Sequence, residues 1–182
     1  LHSVDTGVFA TRGVAVVFPG SAHEVSQLVR LAANEGLPVW TFSKGKNWGY
    51  GAKMASENGA LVLVLERMNR ILEVNEELAY AVVEPGVTYA QLDARLAASG
   101  HVLWADCTDS SPEASVIGNA LERGVGCTMY ADHFAALCGM EVVLPDGTLV
   151  RTGGGSADAR ARYNYKWGTG PFIAALCSQS NF

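Results

Sequence analysis

A basic, glycine-spaced segment between Thr41 and Gly51 carries the residues best suited to binding an anion. The segment contains Ser43, Lys44, Gly45, Lys46, Asn47, Trp48, Gly49 and Tyr50. Glycine permits positive φ angles and close backbone approach, so successive N–H groups can converge on a phosphate while the lysines add positive charge. The segment matches neither the Walker A loop nor the Gly-x-Gly-x-x-Gly dinucleotide fingerprint. We interpret it as another kind of phosphate cradle, with an ordinary basic surface turn as the alternative.

The hydrophobic pattern places this segment at the end of a strand in a β-α-β unit. Strands are predicted over residues 13–18, 37–42 and 60–65. A helix is predicted from Ser21, which has capping-box spacing with Glu24, to a C-terminal glycine at Gly36. The basic segment follows the second strand, and open α/β sheets bind ligands at the carboxyl ends of their strands.

The second part of the chain, after residue 69, has an α+β pattern. A hairpin is predicted from strands 71–74 and 79–83, and a helix from a capping box at Thr88 and Gln91 to Gly100. A short strand is expected over residues 102–105. Residues 137–144 and 148–152 flank a Pro-Asp-Gly turn and are predicted to pair as a second hairpin.

Composition and charge exclude several classes of protein. The chain has 182 residues, 49% of them hydrophobic, which is enough to bury a sizeable core. The net charge of −5 and the dispersed basic residues leave no electrostatic footprint for nucleic acid. No apolar run approaches the roughly 20 residues that span a bilayer, so we expect a soluble protein of the cytoplasm or periplasm.

Cysteine and histidine spacing predicts no metal site. The four cysteines contain no Cys-x-x-Cys pair, and reduced, mostly buried thiols are expected. His2, His23 and His101 are not spaced as metal ligands. His133, beside Asp132, is interpreted as a structural histidine bonded to a neighbouring loop and not as a general base.

Several further motifs extend the pattern towards the end of the chain. They are Ser115-Val-Ile-Gly-Asn-Ala-Leu-Glu-Arg-Gly-Val-Gly126, Tyr130-Ala-Asp-His-Phe134, Gly139-Met-Glu-Val-Val-Leu144, Tyr163-Asn-Tyr-Lys-Trp-Gly-Thr-Gly-Pro-Phe172 and Ser178-Gln-Ser-Asn-Phe182. Together with the basic segment, these motifs resemble the flavin-binding domain of the vanillyl-alcohol oxidase and 4-cresol dehydrogenase (p-cresol methylhydroxylase) family. The resemblance covers nearly the whole chain. It implies a two-lobed FAD-binding domain, with a small β-α-β lobe over residues 1–69 and a larger mixed or antiparallel lobe over residues 70–182.

The resemblance implies which residues contact the FAD. Residues 43–49 would hold the pyrophosphate, and Pro85 and Gly86 would shape the adenine end of the site. A third segment would run along the isoalloxazine and the pyrophosphate with small side chains and backbone donors. Its residues are Ser115, Gly118, Asn119, Glu122, Gly124, Val125, Gly126 and Cys127.

Two residues are implied for the chemistry by the same resemblance. Tyr50 would bind the phenol oxygen of the substrate and favour the phenolate, whose charge can be delocalised into a quinone methide as hydride leaves. The alternative for Tyr50 is an aromatic residue packed on a turn. Ser110 would lie where the oxidase branch has an aspartate near the reactive flavin nitrogen. Asn47 stands where related flavoproteins often have a flavin-bonded histidine, and the resemblance implies that this family attaches its flavin through a histidine or tyrosine outside these 182 residues, so any FAD bound by this chain alone is expected to be non-covalent. Cys107 and Cys127 are the rival covalent anchors, but buried, inert cysteines are expected.

The implied function is FAD-dependent removal of hydride from the benzylic position of a para-substituted phenol. O₂, a cytochrome or another acceptor would reoxidise the flavin, and a homo-oligomer is left open. Both ends of the chain look cut, which suggests a fragment that lacks the substrate cap domain. Two alternatives stay open: a flavin oxidoreductase of the same fold acting on a hydroxy acid or a sugar, and a catalytically inactive flavin-binding module.

Overall fold

The amino-terminal part of the chain is built on a three-stranded parallel sheet. The computed structural model describes residues 11–47, 53–100, 102–153, 163–164, 166–167 and 171–179. Strand β1 (Ala15–Val17), helix α1 (Ala22–Asn34), β2 (Val39–Phe42) and β3 (Leu61–Val64) follow one another, with β3 between β1 and β2 in the sheet. All of β3 is buried, as a central parallel strand requires. The predicted β-α-β unit is confirmed.

Helix α1 covers this sheet and is capped at both ends. Its buried Ala32 packs with Leu61 and Leu63 of β3 in one hydrophobic core. Ser21 Oγ accepts a hydrogen bond from the Glu24 N–H, but the Glu24 carboxylate reaches the Gly20 N–H and not the N–H of Ser21. The predicted capping box is therefore only half formed. Gly36 ends the helix with a φ of 64°, as predicted.

The second part of the chain combines two hairpins with two helices. Strands β4 (Ile71–Asn75) and β5 (Tyr80–Val83) pair antiparallel, and so do β6 (Glu141–Val143) and β7 (Leu149–Arg151). Helix α2 (Tyr89–Ala98) begins with the complete predicted capping box, and helix α3 (Val116–Leu121) follows. Short 3₁₀ helices occupy Leu65–Arg67 and Ile173–Cys177. The α+β fold is confirmed, while the division at residues 69 and 70 stays a prediction.

The strand predicted over residues 102–105 is wrong. This stretch forms no ladder with another described strand. Its apolar run has a different origin, because Leu103 and Ala105 pack against the second hydrophobic core, formed by Val87, Leu92 and Leu96. The described part of the chain contains no helix with the length and apolar character needed to cross a membrane.

Candidate functional site

The basic segment leaves β2 at the carboxyl edge of the parallel sheet. Residues 43–47 line an open cleft of roughly 1910 Å³, while Trp48, Gly49 and Tyr50 lie outside the described residues. The N–H groups of Lys44, Gly45 and Lys46 donate to no other described residue. Unused backbone donors beside two cations suit a diphosphate.

Gly45 is required in this loop for two reasons. Its φ of 59° lies in the left-handed region that favours glycine. A Cβ at this position would also collide with Lys53 Cγ and lie 2.9 Å from Lys53 Cε. The Lys53 side chain therefore covers Gly45. Sequence reasoning missed Lys53 because it lies eight positions after Gly45 and no local pattern joins the two residues.

The amino terminus of α3 faces the basic segment across the cleft. Ser115 is buried, and its Oγ donates to the Pro85 carbonyl at 2.6 Å and accepts from the Gly118 N–H at 3.0 Å. The Ser115 hydroxyl therefore donates one hydrogen bond and accepts another within the protein itself. The position that a Cβ of Gly118 would occupy lies 3.7 Å from Ser43 Oγ. The structure therefore brings the two predicted cofactor-binding segments together at Ser43 and Gly118.

Pro85 lines the cleft, but Gly86 lies beneath it. A Cβ on Gly86 would lie 2.7 Å from the Met68 carbonyl oxygen and 2.8 Å from that of Leu65. The Gly86 N–H donates to the same Met68 carbonyl at 2.7 Å. The chain's own backbone therefore requires glycine here, and no cofactor contact is needed to explain it.

Gly124 and Gly126 also pack against side chains of the protein. A Cβ on Gly124 would collide with the Asn119 amide, and a Cβ on Gly126 would collide with the Asp106 carboxylate. The sequence interpretation gave these glycines the task of letting the flavin approach. In the structure these two glycines also leave room for the side chains of Asn119 and Asp106. Val125 and Glu122 are exposed near them.

A polar network contributes to this wall of the cleft. Tyr89 Oη donates to Asn119 Oδ1 at 3.0 Å, and His133 Nδ1 contacts both Asn119 Oδ1 and, at 3.1 Å, Tyr89 Oη. Burial, assisted by the charge of Asp106, raises the pKa of Tyr89, so the phenol stays protonated and acts as a donor. His133 is buried and bonded to neighbouring segments, which confirms the prediction of a structural histidine. Sequence reasoning did not find the polar roles of Tyr89 and Asp106.

Ser110 and Cys127 lie exposed at the edge of this region. Cys127 Sγ donates to Asp109 Oδ1 at 3.0 Å, and this hydrogen bond and the charge of Asp109 raise the pKa of the thiol. A protonated thiol is a poor nucleophile. The expectation of buried cysteines is wrong for Cys107 and Cys127, because both lie in loops that no described element covers. Cys138 and Cys177 are half-buried, and all four thiols are free.

The lining of the cleft fits an FAD. It combines unused N–H donors, the cations of Lys44 and Lys46, and a closely approached glycine on the opposite wall. The cleft opens at the carboxyl ends of parallel strands and is larger than the 300–1,000 Å³ typical of small-ligand pockets. No three His, Cys, Asp or Glu side chains among the described residues are grouped as metal ligands.

Comparison with known proteins agrees with this geometry. A family model described as the FAD binding domain matches residues 14–153. The chain belongs to this family. Its cofactor is FAD, and the domain is of the p-cresol methylhydroxylase type that the sequence motifs indicated. The assignment of individual residues to the cofactor stays a prediction.

Three similar proteins are about three times as long as this chain. The 1'-carboxy-chondrochloren decarboxylase of Chondromyces crocatus is 46% identical, over 98% of this chain and 34% of that protein. The flavoprotein subunit of the hydroxylating 4-cresol dehydrogenase of Pseudomonas putida is 36% identical, over 92% of this chain and 32% of that protein. The structure of 4-ethylphenol oxidase from Gulosibacter chungangensis, in complex with isoeugenol, matches with a TM-score of 0.90 at 48% identity, over 93% of this chain and 33% of that one. The chain thus spans about a third of the length of these relatives.

Proposed function

We propose that this FAD-binding domain serves an oxidoreductase that removes hydride from the benzylic carbon of a para-substituted phenol. The observation that carries the proposal is the 48% identity and 0.90 TM-score shared with 4-ethylphenol oxidase. The similarity to 4-cresol dehydrogenase supports the same substrate class. FAD supplies the hydride acceptor when it is bound.

In this proposal the chain contributes binding and orientation. Residues 43–47 and the Ser115–Gly118 turn hold the pyrophosphate between the two walls of the cleft. Tyr50 binds the phenol oxygen and stabilises the phenolate, so the benzylic carbon can release hydride with its electron pair while the phenolate electrons form the quinone methide. Ser110, which is exposed at the cleft, would face the reactive part of a bound flavin.

A second candidate is a decarboxylase. The 46% identity to 1'-carboxy-chondrochloren decarboxylase favours it specifically. In that case the same domain would hold FAD beside a carboxylated substrate, and the bond broken would join carbon to the carboxyl group.

A hydroxy acid or sugar substrate and an inactive flavin-binding module are the remaining alternatives. The electron acceptor of the phenol reaction would be O₂, a cytochrome or another acceptor.

A chimeric enzyme tests whether this chain can serve the phenol reaction when it is joined to the rest of 4-ethylphenol oxidase. The matching third of 4-ethylphenol oxidase is replaced by this chain, and the product is loaded with FAD. We expect turnover of 4-ethylphenol at matched flavin occupancy, with no turnover of a 2-hydroxy acid. Release of CO₂ from a 4-hydroxyphenyl carboxylic acid without oxidation of 4-ethylphenol would favour the decarboxylase. Full flavin content with no turnover of any of these substrates would favour the inactive module.

Tyr50→Phe in the same chimera tests the proposed role of the phenol hydroxyl. Loss of one charge-assisted hydrogen bond of roughly 1.5–3 kcal/mol should lower kcat/KM about ten- to a hundredfold. Flavin content should not change, because the hydroxyl does not hold the cofactor. Unchanged kcat/KM would make Tyr50 a packed aromatic residue.

A further inference from the structure

Two loops on the wall of the cleft are joined by carboxylates. Asp106 and Asp109 belong to the first loop, residues 106–110, which also carries Ser110. Asp106 Oδ2 accepts from Thr128 Oγ1 at 2.7 Å, and the same carboxylate packs against Gly126. Asp109 accepts from Cys127 Sγ at 3.0 Å. The second loop, residues 124–128, is therefore tied to the first loop at two points.

His133 supports the contact made by Asp106, which is the more buried of the two contacts between the loops. Its backbone N–H donates to the Gly124 carbonyl at 3.2 Å, and its ring nitrogen Nδ1 contacts Asn119 and Tyr89. The other ring nitrogen, Nε2, is buried and has no hydrogen-bond partner among the described residues. It lies 3.7 Å from Asp106 Oδ2, so the carboxylate is the polar group that it faces.

Asp106 and Asp109 differ in how readily water could satisfy their hydrogen-bond partners if the carboxylate were removed. The side chain of Asp106 is 18% exposed and that of His133 is 8% exposed. If the Asp106 carboxylate is removed, Thr128 Oγ1 loses its acceptor and Nε2 is left facing no polar group. Thr128 is half-buried and His133 is buried, so water can replace the lost carboxylate less completely there than at the exposed pair of Asp109 and Cys127.

We propose that Asp106, supported by His133, is a positioning residue that fixes the loop of residues 106–110 against residues 124–128. Through this contact it sets where Ser110 and the flavin-facing wall lie relative to the cleft. The proposal rests on the placement of FAD in this cleft and is independent of the phenol reaction.

Substitutions at Asp106 test the proposal, and Asp109→Asn is the matched control. Asp109→Asn makes the same change of charge in the same loop, but at an exposed position. Asp106→Ala removes both acceptor oxygens. Asp106→Asn keeps one oxygen for Thr128 and nearly the same volume, so it also serves if the alanine variant does not fold.

Three readouts are needed. In the chain without FAD, Asp106→Ala should speed amide hydrogen exchange about tenfold in residues 106–110 and 124–128, with no change in β3. In the chain with FAD, it should weaken binding about tenfold and alter the visible absorption spectrum of the bound flavin at full occupancy. Asp106→Asn should fall between this variant and the parent chain. Asp109→Asn should stay within about twofold of the parent chain in every readout.

Two results would overturn the proposal. Equal effects of Asp106→Asn and Asp109→Asn would show that only the charge of the loop matters. Faster exchange with unchanged FAD affinity and flavin spectrum would make Asp106 a purely structural residue. A chimera that shows the Asp106 effects but does not oxidise 4-ethylphenol would refute the proposed function and leave this inference standing.

Discussion

The two walls of the cleft are held in place in different ways. The basic loop of residues 43–47 continues directly from β2, whose register with β3 is fixed by backbone pairing up to Phe42 and Val64. The opposite wall, residues 106–133, is held by side-chain hydrogen bonds between residues far apart in the chain, such as His133 and Tyr89. The first wall should therefore lose its structure when the hydrophobic core is destabilised. The second wall should lose its structure when a single polar side chain is removed.

Leu63→Ala should have the largest effect on the first wall. Leu63 is 1% exposed at the centre of the parallel sheet. A buried Leu→Ala substitution costs about 2–5 kcal/mol, because contacts are lost and a cavity remains. Urea denaturation measures the loss. Leu31→Ala is the control, because Leu31 lies on α1 but is 53% exposed, and its substitution should change stability by less than about 0.5 kcal/mol. Equal losses for the two variants would show that the sheet core does not carry the stability of this wall.

Gly126→Ala should damage the second wall through one side chain. The new methyl group would collide with the Asp106 carboxylate, and overpacking of this kind costs about 1–3 kcal/mol. The structure predicts relief of the clash by a second change. Gly126→Ala should cost less in a chain that also carries Asp106→Ala, and a double-mutant cycle measured by urea denaturation checks this. Additive losses would mean that the carboxylate moves away without cost.

Gly45→Val should weaken FAD binding by more than tenfold, and by more than Lys44→Ala does. Valine cannot easily adopt the φ of 59° and would collide with Lys53, whereas removal of one partly solvated charge costs only about 1 kcal/mol. Fluorescence titration of FAD measures both variants. Gly36→Ala is the control, because Gly36 has a φ of 64° but open space around it and should affect stability without changing FAD affinity. A larger effect of Lys44→Ala would show that the loop binds by side-chain charge.

The difference between the walls also explains what could be predicted from the sequence. The capping box at Thr88 and the glycine stop at Gly36 depend on neighbours within a few residues, and the helix and strands of the β-α-β unit have a clear hydrophobic periodicity, so the local pattern reveals them. Residues 102–105 form an apolar run like that of a strand, but only Leu103 and Ala105 pack against a core, and no described strand pairs with them.

Side-chain contacts between residues far apart in the chain leave no such pattern in the sequence. Asp106 meets Thr128 and His133 only after the chain has folded, and nothing in the residues next to Asp106 indicates a partner 22 residues away. The exposure of Cys107 and Cys127 was missed for the same reason. Buried cysteine is the commoner case, and only the folded chain shows that these loops are uncovered.

The ion pair of Arg70 and Glu84 closes the open end of the hairpin formed by β4 and β5, and its effect should depend on pH. Glu84 is buried, and it accepts from the Arg70 side chain at 2.6 Å and from the Arg70 backbone N–H at 2.8 Å. Burial by itself raises the pKa of Glu84, but the hydrogen bonds and the charge of Arg70 outweigh it and hold the pKa below its usual value. Because the pKa is lower in the folded chain, the pair stabilises the fold above the unfolded pKa of about 4.3 and ceases to do so as the pH falls through the folded pKa.

Glu84→Gln should therefore reduce stability at pH 7 and have a shrinking effect below about pH 4, as protonation makes the parent chain resemble the variant. Urea denaturation of both chains over this range measures the difference. Glu141→Gln is the matched control, because Glu141 and Arg151 form an ion pair at the same 2.6 Å distance but are about half exposed, and water screens them. At pH 7, Glu84→Gln should cost more stability than Glu141→Gln, and both losses should be smaller than those of the test substitutions described above. A deficit of Glu84→Gln that persists unchanged at low pH would show that the amide is a packing defect, and that the hairpin does not depend on the charge of Glu84.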